Sequence, residues 1–217
     1  MSGLTPEVLA PERIAAAFGL WVLWGLVHSL LAAPGVKAWF ARALGPKRFA
    51  LYPLAYSLVS LATFAAAYLL EPPLPQLLWA VDGPAALLLY GVQLAGLALL
   101  VWAGMSMHAF KMFGLPQFWA VLRRRAPDEP DVRRDFTSTK AYGLVRHPMH
   151  LAGVLILFCP PRMTLGALVF AVFAGLYFLV GTLLEERRLA RDLGPVWAEY
   201  VRRVPMFLPR LWPRPRA

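Results

Sequence analysis

Apolar residues run almost without interruption over four stretches, Ile14 to Ala33, Ala50 to Leu70, Ala85 to Met107 and Thr164 to Leu184. Each meets or approaches the roughly 20 residues that a helix needs to cross a hydrocarbon core of about 30 Å. A fifth run, Met149 to Pro160, is too short to cross alone and is followed by Pro161 and Arg162. Together with the run that opens at Thr164 it predicts a tight helical hairpin with its tip at Cys159 to Thr164. Pro148 suits the first turn of the short arm. That arm starts before Met149 or leaves part of its depth to protein-lined irregular backbone. The pattern predicts an all-α polytopic integral membrane protein of about five transmembrane helices. Residues 1–105 hold three N-terminal spans, and residues 106–217 hold a cytoplasmic loop, the hairpin and a C-terminal tail.

Composition agrees with the pattern. The chain of 217 residues is 59% hydrophobic and 16% charged, with a mean hydropathy of +0.56, against roughly 45–50% apolar and 25% charged in soluble domains. Its net charge of +10 gives the map a second test, because short cytoplasmic loops collect Lys and Arg. Arg13 alone precedes the first span, and Lys37, Arg42, Lys47 and Arg48 follow it. No base lies between Glu71 and Pro84, and at the hairpin tip stands only Arg162. The segment from Met107 to Pro148 and the tail from Glu185 hold most of the remainder. This alternation predicts an N-terminus outside and a C-terminus in the cytoplasm, and the Ala-, Leu-, Pro- and Arg-rich usage suits a bacterial protein, hence the inner membrane. The N-terminus does not read as a secretory signal, since Glu7 and Glu12 stand where a basic region belongs. A single cysteine, Cys159, excludes an intramolecular disulfide and a Cys-based zinc site.

The basic runs Arg123 to Arg125 and Arg187 with Arg188 read as orientation signals attracted to anionic membrane lipid. No stacking-and-base pattern interleaves them, so no nucleic acid is expected as a partner. Apolar periodicity lapses from Arg123 to Thr139, where residues 126–130 read APDEP, and a cytoplasmic lid or a plain solvated loop would both fit.

Polar side chains inside a span are costly and mark function or interhelical bonding. His28, Ser29 and Gln93 are such residues. The densest polar signal lies at the hairpin mouth, where Tyr142, Gly143, Leu144, Val145, Arg146, His147, Pro148, Met149 and His150 lead into the short arm. Glu185 and Glu186 stand at the exit of the long arm. Antiparallel arms with a short tip return both sequences to one membrane face, which puts Arg146, His147 and His150 near the two glutamates. Three readings are open. The cluster is a buried Arg/Glu clamp, a metal or haem site using His147 and His150, or a pocket for a polar cofactor. Four histidines in total make the metal reading the weakest, and no metal ligand set is assigned.

At these residues the chain resembles the isoprenylcysteine carboxyl methyltransferase-like family of integral membrane methyltransferases, which includes bacterial thiol methyltransferases and NnrU-type proteins. The resemblance rests on GLVRHP at Gly143 to Pro148, the hairpin, EERRL from Glu185 to Leu189, and then Gly194, Tyr200, Arg203, Val204, Pro205 and Pro209. It covers roughly Phe113 to Pro209. His28, Ser29, Leu30, Leu31 and Ala32 are similar to the NnrU-type subgroup.

The resemblance implies S-adenosylmethionine as cofactor, and the chain lacks the GxGxxG and βαβ pattern of a Rossmann site. It implies a cytoplasmic pocket lined by Tyr142, Gly143, Leu144, Val145, His147, Pro148, Glu185, Glu186 and Tyr200. A small or lipophilic acceptor, a thiol, carboxylate or amine, would enter from the bilayer, with Phe113 to Gln117 placed to line the entrance. Arg146, His150 and Glu186 are the candidate catalytic residues. A thiol or amine must lose a proton, for which His150 or a glutamate is the candidate base. Arg146 would order the loop or hold the methionine carboxylate. Two departures bear on the acceptor. His150 stands where members often have tyrosine, and Gly181 and Thr182 where several carry arginine. The rivals are a non-enzymatic membrane carrier or assembly protein, and an NADPH-dependent reductase of the steroid-reductase type.

Overall fold

The computed structural model describes residues 11–107, 113–125 and 136–209. The described residues form, in chain order, α1 Pro11–Ala32, α2 Pro34–Phe49, α3 Tyr52–Leu70, α4 Gly83–Ser106, α5 Leu115–Leu122, α6 Ala141–Leu144, α7 Pro148–Phe158, α8 Leu165–Leu193 and α9 Pro195–Arg203. Two short strands, β1 Leu77–Ala80 and β2 Arg162–Thr164, form a ladder. α1, α3, α4 and α8 are long and apolar enough to cross a membrane, and α7 is the shorter apolar helix. The APDEP segment and its neighbours through residue 135 lie outside the described residues.

Proline sets many of the starts. Pro34, Pro53, Pro84, Pro116, Pro148 and Pro195 each sit in the first turn of their helix, where the missing N–H is no loss and the fixed φ favours entry. α2 is broken at Gly45 (φ 73, ψ 167) ahead of Pro46, so the basic connection is two helical pieces. The hairpin tip is more ordered than the hydrophobic pattern indicates. Val81 donates its N–H to the Pro161 carbonyl at 2.8 Å, and Leu165 donates to Gln76 at 2.8 Å, which makes the ladder antiparallel.

One boundary changes the picture of the site. The long arm was expected to end at Leu184, yet α8 continues to Leu193. Charged residues do not stop a helix; they only stop it from being buried in lipid. Glu185 and Glu186 therefore lie within α8, held by its rigid backbone, rather than at its exit.

The described residues form two compact units. The first contains α1, α2, α3, α5 and the opening of α8. Trp21, 1% exposed, is its centre, with ring centroids 4.5 Å from Phe170 and 5.1 Å from Phe64. His28 joins α1 to α3: its Nε2 lies 2.6 Å from the Tyr56 hydroxyl and its Nδ1 2.9 Å from that of Ser60, and its ring stacks on Trp24 at 5.0 Å. Gln117 on α5 is buried, and its Oε1 has no hydrogen-bond partner among the described residues.

The second unit contains α4, α6, α7, the rest of α8 and α9. Lipid is as apolar as leucine, so helices here associate through close packing and polar contacts rather than by escaping water. α4 and α7 use both. A Cβ on Gly96 would come within 3.1 Å of Leu155 and Ile156 and 3.2 Å of the Ala152 carbonyl, and Gln93 donates its Nε2–H to the Ile156 carbonyl at 2.8 Å. Gly96→Val should therefore lower stability by about 1–3 kcal/mol. Gly91→Val on the same helix, where a Cβ meets nothing within 4 Å, should leave it close to wild type. Thermal unfolding of the two variants in one detergent checks the contrast.

Candidate active site

Loop, long helix and tail are tied together in the second unit by one guanidinium. Arg146 donates Nε–H to Glu186 Oε1 at 2.7 Å and Nη2–H to Oε2 at 3.1 Å, and its Nη1–H goes to the Val204 carbonyl at 2.7 Å. Its backbone amide donates to Pro205, and that of His147 to Met206, at 2.8 and 3.2 Å. Two charges with little solvent access are tolerated because the fork is bidentate and its remaining donor is also paired. All three guanidinium nitrogens are engaged inside the protein.

His147 caps α7 and stands between the two acids. Its Nε2 is 3.0 Å from Glu186 Oε1, and its Nδ1 is 3.7 Å from Glu185 Oε2. The two carboxylates consequently differ. Both oxygens of Glu186, whose side chain is 18% exposed, already accept hydrogen bonds. Glu185 is 37% exposed and, among the described residues, has only the longer His147 contact.

Beside these acids α6 presents a short stretch of backbone. Gly143 and Leu144 are exposed, whereas Tyr142 and Val145 are buried. The Tyr142 hydroxyl donates to the Met107 sulfur, and its carbonyl accepts from the Tyr200 hydroxyl at 2.7 Å. Burial, with the Glu185 carboxylate nearby, pushes the Tyr142 phenol far above its ordinary range. Burial does the same to Tyr200, so both stay neutral donors. Tyr200 packs with Leu193, Trp197 and Val204, and Phe136 meets its ring edge-on at 5.3 Å. Tyr200 thus supports α6 from behind through α9.

His150 lies in the first turn of α7. It stacks on His147 at 5.6 Å and 5° and on Phe178 at 5.0 Å and 15°. Its Nδ1 is 2.8 Å from the Thr182 hydroxyl. Phe178 comes this close because residue 153 is glycine; a Cβ there would be 2.5 Å from the ring. His150 lines a cavity of about 300 Å³ together with Leu151, Val154, Phe178, Leu179 and Phe207. Among the described residues, His150 is the one polar side chain in that lining.

Arg146, His147, Glu185 and Glu186 form one cluster, with Tyr142 to Val145 and Tyr200 beside it. His28 and Gln117 belong to the other unit. Sequence reasoning missed Phe178 and Phe207 as parts of the lining, and treated Thr182 only as a departure from a pattern. A polar residue one turn before the paired acids, on the arm facing His150, was the available signal for Thr182. No group of three or more metal-ligating side chains is found among the described residues.

No family model matches the chain, and no solved structure matches it. Curated relatives do. It is 33% identical over 205 residues to methanethiol S-methyltransferase 2 of Bradyrhizobium diazoefficiens, covering 94% of this chain and 76% of the relative. It is 30% identical to a methanethiol S-methyltransferase of a Pseudomonas species over 94% of this chain and 76% of that one. The corresponding figures for the Mycobacterium tuberculosis enzyme of the same name are 31%, 97% and 88%. With this identity across nearly its whole length, the chain belongs to the methanethiol S-methyltransferase family, the bacterial thiol methyltransferase group of the isoprenylcysteine methyltransferase-like proteins.

Proposed function

We propose that the chain transfers a methyl group from S-adenosylmethionine to a small thiol such as methanethiol. The observation that carries this reading is His150, which lines an apolar cavity while its ring stacks on His147, the neighbour of Glu185. An apolar space with one nitrogen base suits a neutral thiol better than a carboxylate, because no cation lines it among the described residues. The names of the curated relatives point to the same acceptor.

The donor set fits the cofactor. Glu185 retains acceptor capacity beside the exposed backbone of Gly143 and Leu144, which suits hydroxyl and amino groups. Arg146 is spent on Glu186 and Val204, so of its two expected roles it orders the loop and tail. When bound, S-adenosylmethionine supplies a methyl group on a positively charged sulfur. The protein holds the acceptor in line, excludes water through Phe178, Leu179 and Phe207, and removes the thiol proton through His150. The distribution of Lys and Arg supports a site that faces the cytoplasm, and bacterial relatives support an inner-membrane location.

Purified protein given S-adenosylmethionine and methanethiol should release dimethyl sulfide, measured by gas chromatography. A folded sample that binds no S-adenosylhomocysteine in calorimetry would overturn the reading, and competition by NADPH would favour a reductase instead. Glu185→Gln should weaken S-adenosylhomocysteine binding about tenfold, as expected for loss of a charge-assisted hydrogen bond. Glu186→Gln should act mainly on stability, with a loss of about 3 kcal/mol because Arg146 is left buried without its counter-charge; thermal unfolding separates the two effects. His150→Phe keeps the ring stack but removes the base, and should lower kcat about 100-fold at unchanged S-adenosylhomocysteine affinity.

A further inference from the structure

An imidazole used as a base must present an unprotonated nitrogen to the acceptor, and which nitrogen that is depends on the partner of the other. His150 has such a partner in Thr182, which is 0% exposed and whose Oγ1 lies 2.8 Å from Nδ1. Among the described residues no hydrogen-bond partner is found for Nε2, on a side chain that lines the apolar cavity. The ring plane is fixed independently, by stacking on His147 at 5.6 Å and on Phe178 at 5.0 Å. Phe178 is in turn seated against Gly153.

We propose that Thr182 is a positioning residue for methyl transfer: its hydroxyl oxygen accepts the Nδ1–H of His150, holding the tautomer in which Nε2 carries a lone pair toward the acceptor. This rests on the reading of His150 as the base. The alternative, a hydroxyl donating to Nδ1, would leave hydrogen on Nε2 and nothing to take a thiol proton. It would also fail once the ring is charged, because Nδ1–H then needs an acceptor. Acceptance by Thr182 satisfies Nδ1 before and after proton transfer without any movement of a buried hydroxyl. In the step itself the thiol S–H bond breaks, its proton forms a bond to Nε2, and the electron pair left on the thiol sulfur forms the new S–C bond as the bond from the methyl group to the donor sulfonium breaks, that pair remaining on the donor sulfur, which leaves as the neutral thioether S-adenosylhomocysteine. The neutral sulfide leaves, and the imidazolium returns its proton to solvent.

The groups facing His150 are His147 on the residues leading into α7, Thr182 and Phe178 on α8, and Phe207 on the tail. Glu185 and Glu186 lie beyond His147 and are held by it. No cation other than the engaged Arg146 contacts this set among the described residues.

The test begins with full-length protein labelled with 15N-histidine, in which four histidines are resolved by single substitution. The expected result is a protonated Nδ1 and an unprotonated Nε2 for neutral His150, with the preference reduced in Thr182→Val and restored in Thr182→Ser. A wild-type spectrum with hydrogen on Nε2 overturns the proposal whether or not any variant folds. Kinetics provide the second arm. Thr182→Val should lower kcat on methanethiol at least tenfold, and the deficit should shrink to less than threefold on thiophenol, which is largely ionised at the assay pH and needs no base. Thr182→Ser should recover wild-type kcat to within about threefold. An equal deficit on both thiols makes Thr182 merely structural and overturns the proposal. Should His150→Phe retain full activity on methanethiol, the base reading itself falls, whereas loss in that variant with no effect of Thr182→Val defeats only the role given to Thr182.

Discussion

The ion pair between Arg146 and Glu186 is the contact on which the site depends. It joins α8 to the loop before α7 and, through the Val204 carbonyl, to the tail after α9. Burying two charges is costly, and the pair persists because each nitrogen and oxygen in it has a partner. Its geometric consequence matters more than its net stability. With Glu186 fixed, His147 has a defined acceptor; with the 204–206 carbonyls fixed, the tail runs on to place Phe207 over the cavity. One side chain at the mouth of the hairpin thereby sets both a polar end and an apolar end of the candidate site.

Within the second unit the membrane setting explains why small residues recur at contacts. Helices that gain nothing by leaving lipid must approach closely to gain dispersion energy. Gly96 lets α4 meet α7, Gly153 lets Phe178 lie against α7, and a Cβ at Gly175 would crowd Phe158 at 3.3 Å. The polar contacts across these seams, Gln93 to Ile156 and His150 to Thr182, are few and short. Each fixes rotation about a helix axis that apolar packing alone leaves free. Chemistry placed on such helices inherits their rigidity, which is what a reaction governed by alignment requires.

The two carboxylates show how tertiary contacts divide equal residues. Glu185 and Glu186 are adjacent in the chain and chemically identical, yet successive residues on a helix point about 100° apart. Glu186 faces Arg146 and is consumed by the clamp, while Glu185 keeps exposure and spare acceptor capacity. The clamp thus takes one member of the pair and leaves the other exposed.

Much was legible in order and hydropathy: four long spans, the short arm, its start at Pro148, and the approach of Arg146 and His147 to the paired glutamates; His150 instead meets Thr182. These follow from local rules, the length of an apolar run and the return of a hairpin to its own face. The β1–β2 ladder was not legible, because strands of four and three residues carry no periodicity. Nor was the extent of α8 beyond Leu184, since hydropathy reports the depth of lipid and not the end of a helix. The partition of Glu185 from Glu186, the partner of His150 and the lining of the cavity belong to the tertiary structure alone. They depend on rotation of helices about their axes and on side chains far apart in the chain. An apolar run fixes that a helix crosses the membrane; only packing against its neighbours fixes which way its polar residues face.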